Sequence, residues 1–273
     1  MSVFVCPVCS NQLAKEGSSL KCENRHCYDI AKQGYVNLLM SQKSSAKRHG
    51  DDKVMVASRR DFLDKGYYLC LRDALCETAA RFAKEKVTAL DAGCGEGWYT
   101  TAISDALEKS GAEVKMAGID ISKQALIYAA KRSKKIELAA AGVFNLPLAE
   151  SSCDMVFNVF APCASEEFSR VLSDNGVLIR AVPLENHLLA FKEHIYDNVY
   201  SNKVEDFEVN GFRLLEKQEI RKTLTLDNNE DIMNLFRMTP YYYKTSTADQ
   251  AKVAALTRLE TQLEFGVLVY SKI

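Results

Sequence analysis

The sequence predicts an α/β fold, a parallel sheet covered on both faces, with a small metal-stapled module at its N-terminus. Three observations lead there. From about Asp61 onward, apolar strand patterns alternate with amphipathic helical ones over short links. The first of those strands runs into a turn with glycine at every second position. Four of the nine cysteines crowd into the first 30 residues.

The elements follow in order. Val87–Leu90 reads as a short strand ending at Asp91, followed by the glycine turn and a helix from Trp98 to Lys109. Val114–Ile119 is the next strand, closed by Asp120, and Ser122 caps a helix to about Lys134. Ile136–Ala140 and Met155–Phe160 are the third and fourth strands, the latter apolar throughout as a doubly covered strand requires. A helix over 164–173, a turn at Asp174–Gly176 and strand Val177–Val182 complete the fifth unit. Strand-like segments near 212–225 and 263–271 predict antiparallel edge strands. The chain thus divides into a module at 1–39, a polar basic linker or arm at 40–60, and the main domain at 61–273.

Composition narrows the function classes. Hydrophobic residues make up 47% and charged residues 26% of 273, an ordinary globular balance that excludes a disordered chain. No run approaches the roughly 18 apolar residues that a membrane span needs. The start, MSVFVCPVCS, lacks a basic head, an apolar core and a cleavage site, so a cytoplasmic protein is expected. Cys70, Cys76, Cys94, Cys153 and Cys163 sit singly among apolar residues and read as reduced thiols. Net charge is −1, but residues 1–60 hold ten Lys/Arg against five Asp/Glu, so a basic front precedes an acidic body. That asymmetry suits a protein whose first segment touches phosphates.

The stretch Asp91-Ala92-Gly93-Cys94-Gly95-Glu96-Gly97-Trp98 carries the most chemistry. Glycines at 93, 95 and 97 let backbone pass directly against a ligand. Asp120, 23 residues after Gly97, ends the next strand, where a carboxylate can accept both hydroxyls of a ribose. Dinucleotide binders space their glycines G-x-G-x-x-G so that a helix N-terminus meets a pyrophosphate. Here the spacing is G-x-G-x-G after an acid. S-adenosylmethionine has no phosphate and carries a cationic sulfonium and an amino acid moiety, so an acid beside the turn suits it. The pattern resembles the first motif of class I methyltransferases, a Rossmann-like fold.

The fourth strand ends in Phe160-Ala161-Pro162-Cys163, at the position where an acceptor substrate would face the methyl group. An Asn/Asp-Pro-Pro-aromatic run is missing there, which argues against methylation of the adenine amine. Nothing nearby activates Cys163, so it reads as an inert loop thiol.

Cys6-Pro7-Val8-Cys9, then 12 residues, then Cys22 is ligand spacing for tetrahedral zinc. The fourth ligand is His26 or Cys27; His26 is preferred, and spacing alone does not separate them. So short a module cannot bury its own core, which makes a metal its natural staple. Lys15, Lys21, Arg25 and Lys32 would present charge to RNA, while Tyr28 and Tyr35 would stack on bases or, more commonly, pack under the metal site.

These residues together resemble the RlmA family of 23S rRNA (guanine-N1) methyltransferases. The similarity runs through the cysteine pairs, Asp29-Ile30-Ala31-Lys32-x-Gly34-Tyr35-Val36-Asn37-Leu38-Leu39, Gly50-Asp51, Arg59-Arg60-x-Phe62-Leu63-x-x-Gly66-x-Tyr68, the glycine turn, Ala161-Pro162-Cys163, Pro183, His187-Leu188 and Met238-Thr239-Pro240. The resemblance implies zinc on Cys6, Cys9, Cys22 and His26. It implies S-adenosylmethionine contacts from Tyr68, Gly95 to Trp98, Asp120 and His187, of which spacing alone would not have chosen Tyr68 and His187. It further implies methylation of guanine N1 in a hairpin loop of 23S rRNA, and pairing with a second copy as a homodimer. The target base would be unstacked and held by an aromatic such as Trp98 or Phe160. No general base is evident, so the catalytic residue is unknown. A small-molecule methyltransferase would leave the basic front without a purpose. A non-catalytic RNA-binding or ribosome-assembly module would not need Asp120 or the glycines.

Overall fold

A computed structural model describes residues 1–40, 51–196, 199, 201–202, 204 and 207–273. Residues 41–50 of the basic arm, Gly50 among them, lie outside the described residues. The chain opens with three short strands, β1 (Ala14–Glu16), β2 (Ser19–Lys21) and β3 (Cys27–Asp29), in one antiparallel sheet. Then come β4 (Tyr35–Asn37), α1 (Lys53–Asp64), α2 (Leu69–Arg81), β5 (Lys86–Ala92), α3 (Trp98–Lys109), β6 (Glu113–Asp120), α4 (Lys123–Arg132) and β7 (Glu137–Ala140). The rest is β8 (Cys153–Val159), α5 (Ser165–Val171), β9 (Leu172–Pro183), α6 (Leu189–Ile195), β10 (Phe212–Leu226), α7 (Asn229–Arg237), α8 (Tyr241–Lys244), α9 (Thr247–Ala254) and β11 (Leu259–Lys272).

The main sheet has the order β10-β11-β9-β8-β5-β6-β7-β4. β11 runs antiparallel to both of its neighbours, and the pairings from β9 to β4 are parallel. The chain steps from β5 outward through β6 to β7, then returns to lay β8 on the other side of β5. This reversal opens a crevice beyond the carboxyl ends of β5 and β8, where open sheets of this kind bind ligands.

Each face of the sheet buries its own apolar layer. One packs Leu71, Leu75, Ile103, Leu126, Phe157, Ile179, Phe236 and Phe265 beneath the helices. The other joins Leu90, Val156, Leu178 and Leu268 to Phe168 and Val171 of α5. No helix is present in the connection from β7 to β8, and the N-terminal module takes its place. Phe4, Leu13, Leu20 and Leu38 are buried there with Leu146 and Leu148. The Val5 N–H donates to the Pro147 carbonyl at 2.9 Å, and β4 pairs with β7 as the outermost strand. The first 40 residues thus share the core of the main domain.

Four readings of the sequence change. The segment 40–60 is not all linker: Asp52 accepts hydrogen bonds from the N–H groups of Val54 and Met55, and α1 starts at Lys53. The predicted helix over 164–173 is shorter, because strand pairing begins at Leu172. The turn at Asp174–Gly176 is an irregularity inside β9, where the register jumps from Cys153↔Leu172 to Met155↔Val177. α4 stops at Arg132 rather than Lys134, because Ser133 is extended.

Candidate active site and metal centre

The crevice is built from the ends of four elements. β5 delivers Asp91, which is almost fully buried and accepts a hydrogen bond from Thr100 Oγ1 at 2.6 Å. Its other oxygen, Oδ1, is buried with no partner among the described residues. Burial pushes the Asp91 carboxyl up to about 7, against the lowering effect of Thr100 and with a further rise from Asp120. A buried acid with an unused acceptor is suited to a cationic ligand group.

The glycine turn must be glycine at two points. Gly93 has φ +101, and a Cβ there would lie 2.5 Å from the Cβ of Ala161. Gly97, φ +83, abuts the backbone of Ala129 in the same way. In front of Gly95 the space is open, and the nearest group to a Cβ would be Arg59 Nη1 at 3.9 Å. Asp120, at the end of β6, accepts hydrogen bonds from the Gly95 N–H at 2.9 Å and the Ser122 N–H at 2.7 Å, so its carboxylate is fixed against the turn. Glu96 is buried on the far side and paired with Arg132. Trp98 is packed against Tyr99 with the Arg72 guanidinium over its ring at 5.0 Å.

Tyr68 and His187, far apart in sequence, meet here. The Glu264 N–H donates to His187 Nδ1 at 3.2 Å, which leaves the ring proton on Nε2, 3.5 Å from the Tyr68 hydroxyl. Burial pushes His187 down to about 3, so it stays neutral, and burial raises the Tyr68 phenol. Phe265 touches both rings, with centroids at 5.0 and 4.6 Å, and reaches Phe160 at 5.7 Å. Phe160 has φ +54 and is 46% exposed at the end of β8. A non-glycine residue in that conformation is held by its surroundings. Its N–H donates to the Ala181 carbonyl at 3.2 Å, and Asn158 Nδ2 donates to the Pro162 carbonyl at 3.1 Å. Of Trp98 and Phe160, Phe160 is the more exposed, at 46% against 8%. Cys163 is half-buried, and burial raises its thiol.

At the N-terminus, Cys6 Sγ, Cys9 Sγ, Cys22 Sγ and His26 Nδ1 lie within 4.8 Å of one another. The three sulfur-to-nitrogen distances are 3.5, 3.5 and 3.4 Å, and Cys9 Sγ stands 3.7 Å from Cys22 Sγ. Four ligands at zinc bond lengths of about 2.3 Å for sulfur and 2.0 Å for nitrogen, set tetrahedrally, are separated by roughly 3.5–3.8 Å. The set fits zinc closely. Cys27 is exposed on β3 and stays outside the cluster. Burial raises the Cys6 thiol, but the Tyr28 hydroxyl and the N–H groups of Val8 and Cys9 outweigh it and hold Cys6 at about 6. Tyr28 therefore supports a ligand sulfur, 3.1 Å away.

Similarity to known proteins agrees with this geometry. The family described as RlmA, N-terminal, matches residues 4–47, and the one described as Methyltransferase domain matches residues 83–239. A Bacillus subtilis (strain 168) protein, provisionally named a 23S rRNA (guanine-N1) methyltransferase, is 31% identical over 95% of this chain and 93% of its own length. The chain belongs to the RlmA methyltransferase family. A Streptomyces fradiae relative named 23S rRNA (guanine(748)-N1) methyltransferase is 32% identical over 82% of this chain and 80% of its own. Among solved structures, a provisionally assigned type II methyltransferase from Anaeromyxobacter dehalogenans superposes with a TM-score of 0.50 at 16% identity, covering 73% of this chain and 95% of that one, a likeness of fold. As a member of the family this chain uses S-adenosylmethionine and carries a zinc ribbon. The open space at Gly95 and the unpartnered Asp91 oxygen fit that cofactor.

Sequence reasoning overlooked one part of the crevice. Ser122 Oγ donates to the Asp51 carbonyl at 2.8 Å, and Asp51 pairs with Arg59, so the start of α1 closes over the glycine turn. The signal was there in Asp51-Asp52, a helix-capping pair ahead of an apolar run, but the surrounding charges disguised it as linker.

Proposed function

We propose that the protein transfers a methyl group from S-adenosylmethionine to N1 of a guanine in a hairpin loop of 23S rRNA, acting in the cytoplasm. The buried Asp91 carboxylate with its unpartnered oxygen, beside the open face of Gly95 and the fixed Asp120, carries the reading. The names of the relatives support the choice of acceptor.

When bound, the cofactor supplies a methyl made electrophilic by its sulfonium. Asp91 would face the positive amino acid end, Asp120 would take the ribose hydroxyls, and the backbone of Gly93, Gly95, Glu96, Gly97 and Trp98 would form the wall between them. Tyr68 and His187 bound the methionyl side as neutral hydrogen-bonding groups. Phe160 holds the flipped base by its face, so that reacting atoms are aligned, which is the main source of acceleration in such a displacement. His187, at about 3, takes no proton near neutrality, and the raised Cys163 thiol is a poor base, so neither receives the guanine N1 proton. Cys6, Cys9, Cys22 and His26 hold zinc, which fixes the module and its exposed Lys15, Arg25 and Lys32.

The test is incubation with isotope-labelled S-adenosylmethionine and 23S rRNA lacking the modification, followed by mapping of the label. One methyl at guanine N1 in a hairpin loop is expected. Label on another atom, or on a small molecule alone, would overturn the reading.

A further inference from the structure

The crevice is rich in acids. Asp91, Glu96 and Asp120 all border the glycine turn, and Asp51 adds a fourth carboxylate close to Asp120. S-adenosylmethionine brings two cationic groups and one anion, the carboxylate of its methionyl end. In such a field that anion needs a cation of its own. Arg132 is committed to Glu96 and Asp64 on the far side of the turn.

Arg59 is differently placed. It projects from the middle of α1, with Nη1 beside the open face of Gly95. Burial raises the carboxyls of Asp120 and Glu96 and the phenols of Tyr68 and Tyr99, and Arg59 opposes the rise in all four. The guanidinium therefore stands between the ribose acid and the aromatic side of the crevice. Its Nη2 donates to the Met238 carbonyl at 3.3 Å, which ties the plane of the fork to the segment after α7. Its Nη1 is paired with Asp51, whose side chain is 31% exposed.

We propose that Arg59 is the receptor for the methionyl carboxylate of S-adenosylmethionine, and that Asp51 occupies its place until the cofactor arrives. This rests on S-adenosylmethionine being the cofactor. A guanidinium pre-aimed by one carbonyl and held by an exchangeable carboxylate is suited to take a second carboxylate in a charge-assisted hydrogen bond. The exchange leaves the charge on Arg59 compensated at every stage. It also frees Asp51 whenever the cofactor is bound.

Calorimetric titration with S-adenosylmethionine and with its decarboxylated analogue, which keeps the sulfonium and the amine, tests this directly. The unaltered protein should prefer the complete cofactor by about tenfold or more, the range of a charge-assisted hydrogen bond. Arg59→Gln should abolish the preference without weakening the analogue, and Arg59→Lys should restore part of it. Asp51→Asn should tighten the complete cofactor about threefold or more relative to the analogue, by removing the competing carboxylate. It tests the idea even if the arginine variants fail to fold. Equal weakening of both ligands in Arg59→Gln would show a merely structural arginine and overturn the proposal, as would a preference that persists in that variant. Failure of the unaltered protein to bind either ligand would instead overturn the cofactor itself.

Discussion

At the scale of single residues, the crevice holds groups that the fold alone would not choose. Asp91 is the clearest. Its carboxyl is raised to about 7 by burial, while the unfolded chain titrates near about 3.9. The folded protein keeps a proton that the unfolded chain has released, so this stability is complete below about pH 4 and is lost as pH rises through 7. Urea unfolding of Asp91→Asn and the unaltered protein at pH 5 and pH 8 should show the variant gaining ground at the higher pH. The change should be on the order of 3 kcal/mol, and comparing two pH values cancels any fixed cost of the amide. The same variant should bind S-adenosylmethionine more weakly. Gly93 makes a steric point instead. Gly93→Ala places its methyl 2.5 Å from that of Ala161 at a positive φ, and should lose about 2–4 kcal/mol in the same assay. Gly93→Ala combined with Ala161→Gly should recover only the steric part.

At the scale of elements, legibility followed periodicity. α3 begins at Trp98 and ends at Lys109 as the pattern predicted, and Ser122 caps α4 by accepting from the Ala125 N–H. The two tail strands were visible through their alternating and apolar runs, and they pair along nearly their whole length. What stayed hidden depends on contacts remote in sequence. Nothing local says that Tyr35–Asn37 will join a parallel sheet through Leu138–Ala140. Tyr68 and His187 likewise meet only because β11 carries Phe265 and Glu264 between them. The choice of His26 over Cys27 was open until the backbone placed Cys27 on the exposed face of β3. Cys22→Ser should therefore release zinc, whereas Cys27→Ser should retain it at full stoichiometry by metal analysis. Because Phe4, Leu13 and Leu20 share a core with Leu90 and Val156, loss of zinc should lower the thermal midpoint of the whole chain in one transition. A separate early transition of the module would contradict that shared core.

At the scale of the molecule, a zinc-braced module with exposed basic groups is laid against the catalytic body. Lys15, Arg25 and Lys32 are exposed, whereas Lys21 is paired with Glu16 at 2.9 Å. If those three reach phosphates, the logarithm of RNA affinity should fall steeply with the logarithm of salt concentration. Replacing all three with Gln should flatten the slope by about two, measured by fluorescence anisotropy between roughly 50 and 300 mM salt. An unchanged slope would assign the basic front to solvent. Among the described residues no helix is long and apolar enough to cross a membrane. The pairing of β4 with β7 also sets an order of events during synthesis. Tyr35 leaves the ribosome 103 residues before its partner Leu138. At usual elongation rates that is a wait of roughly 5 to 20 s. The nascent ribbon can capture its metal in that interval, but its apolar side has nowhere to dock. Early zinc loading would keep the waiting segment compact until the sheet arrives to cover it.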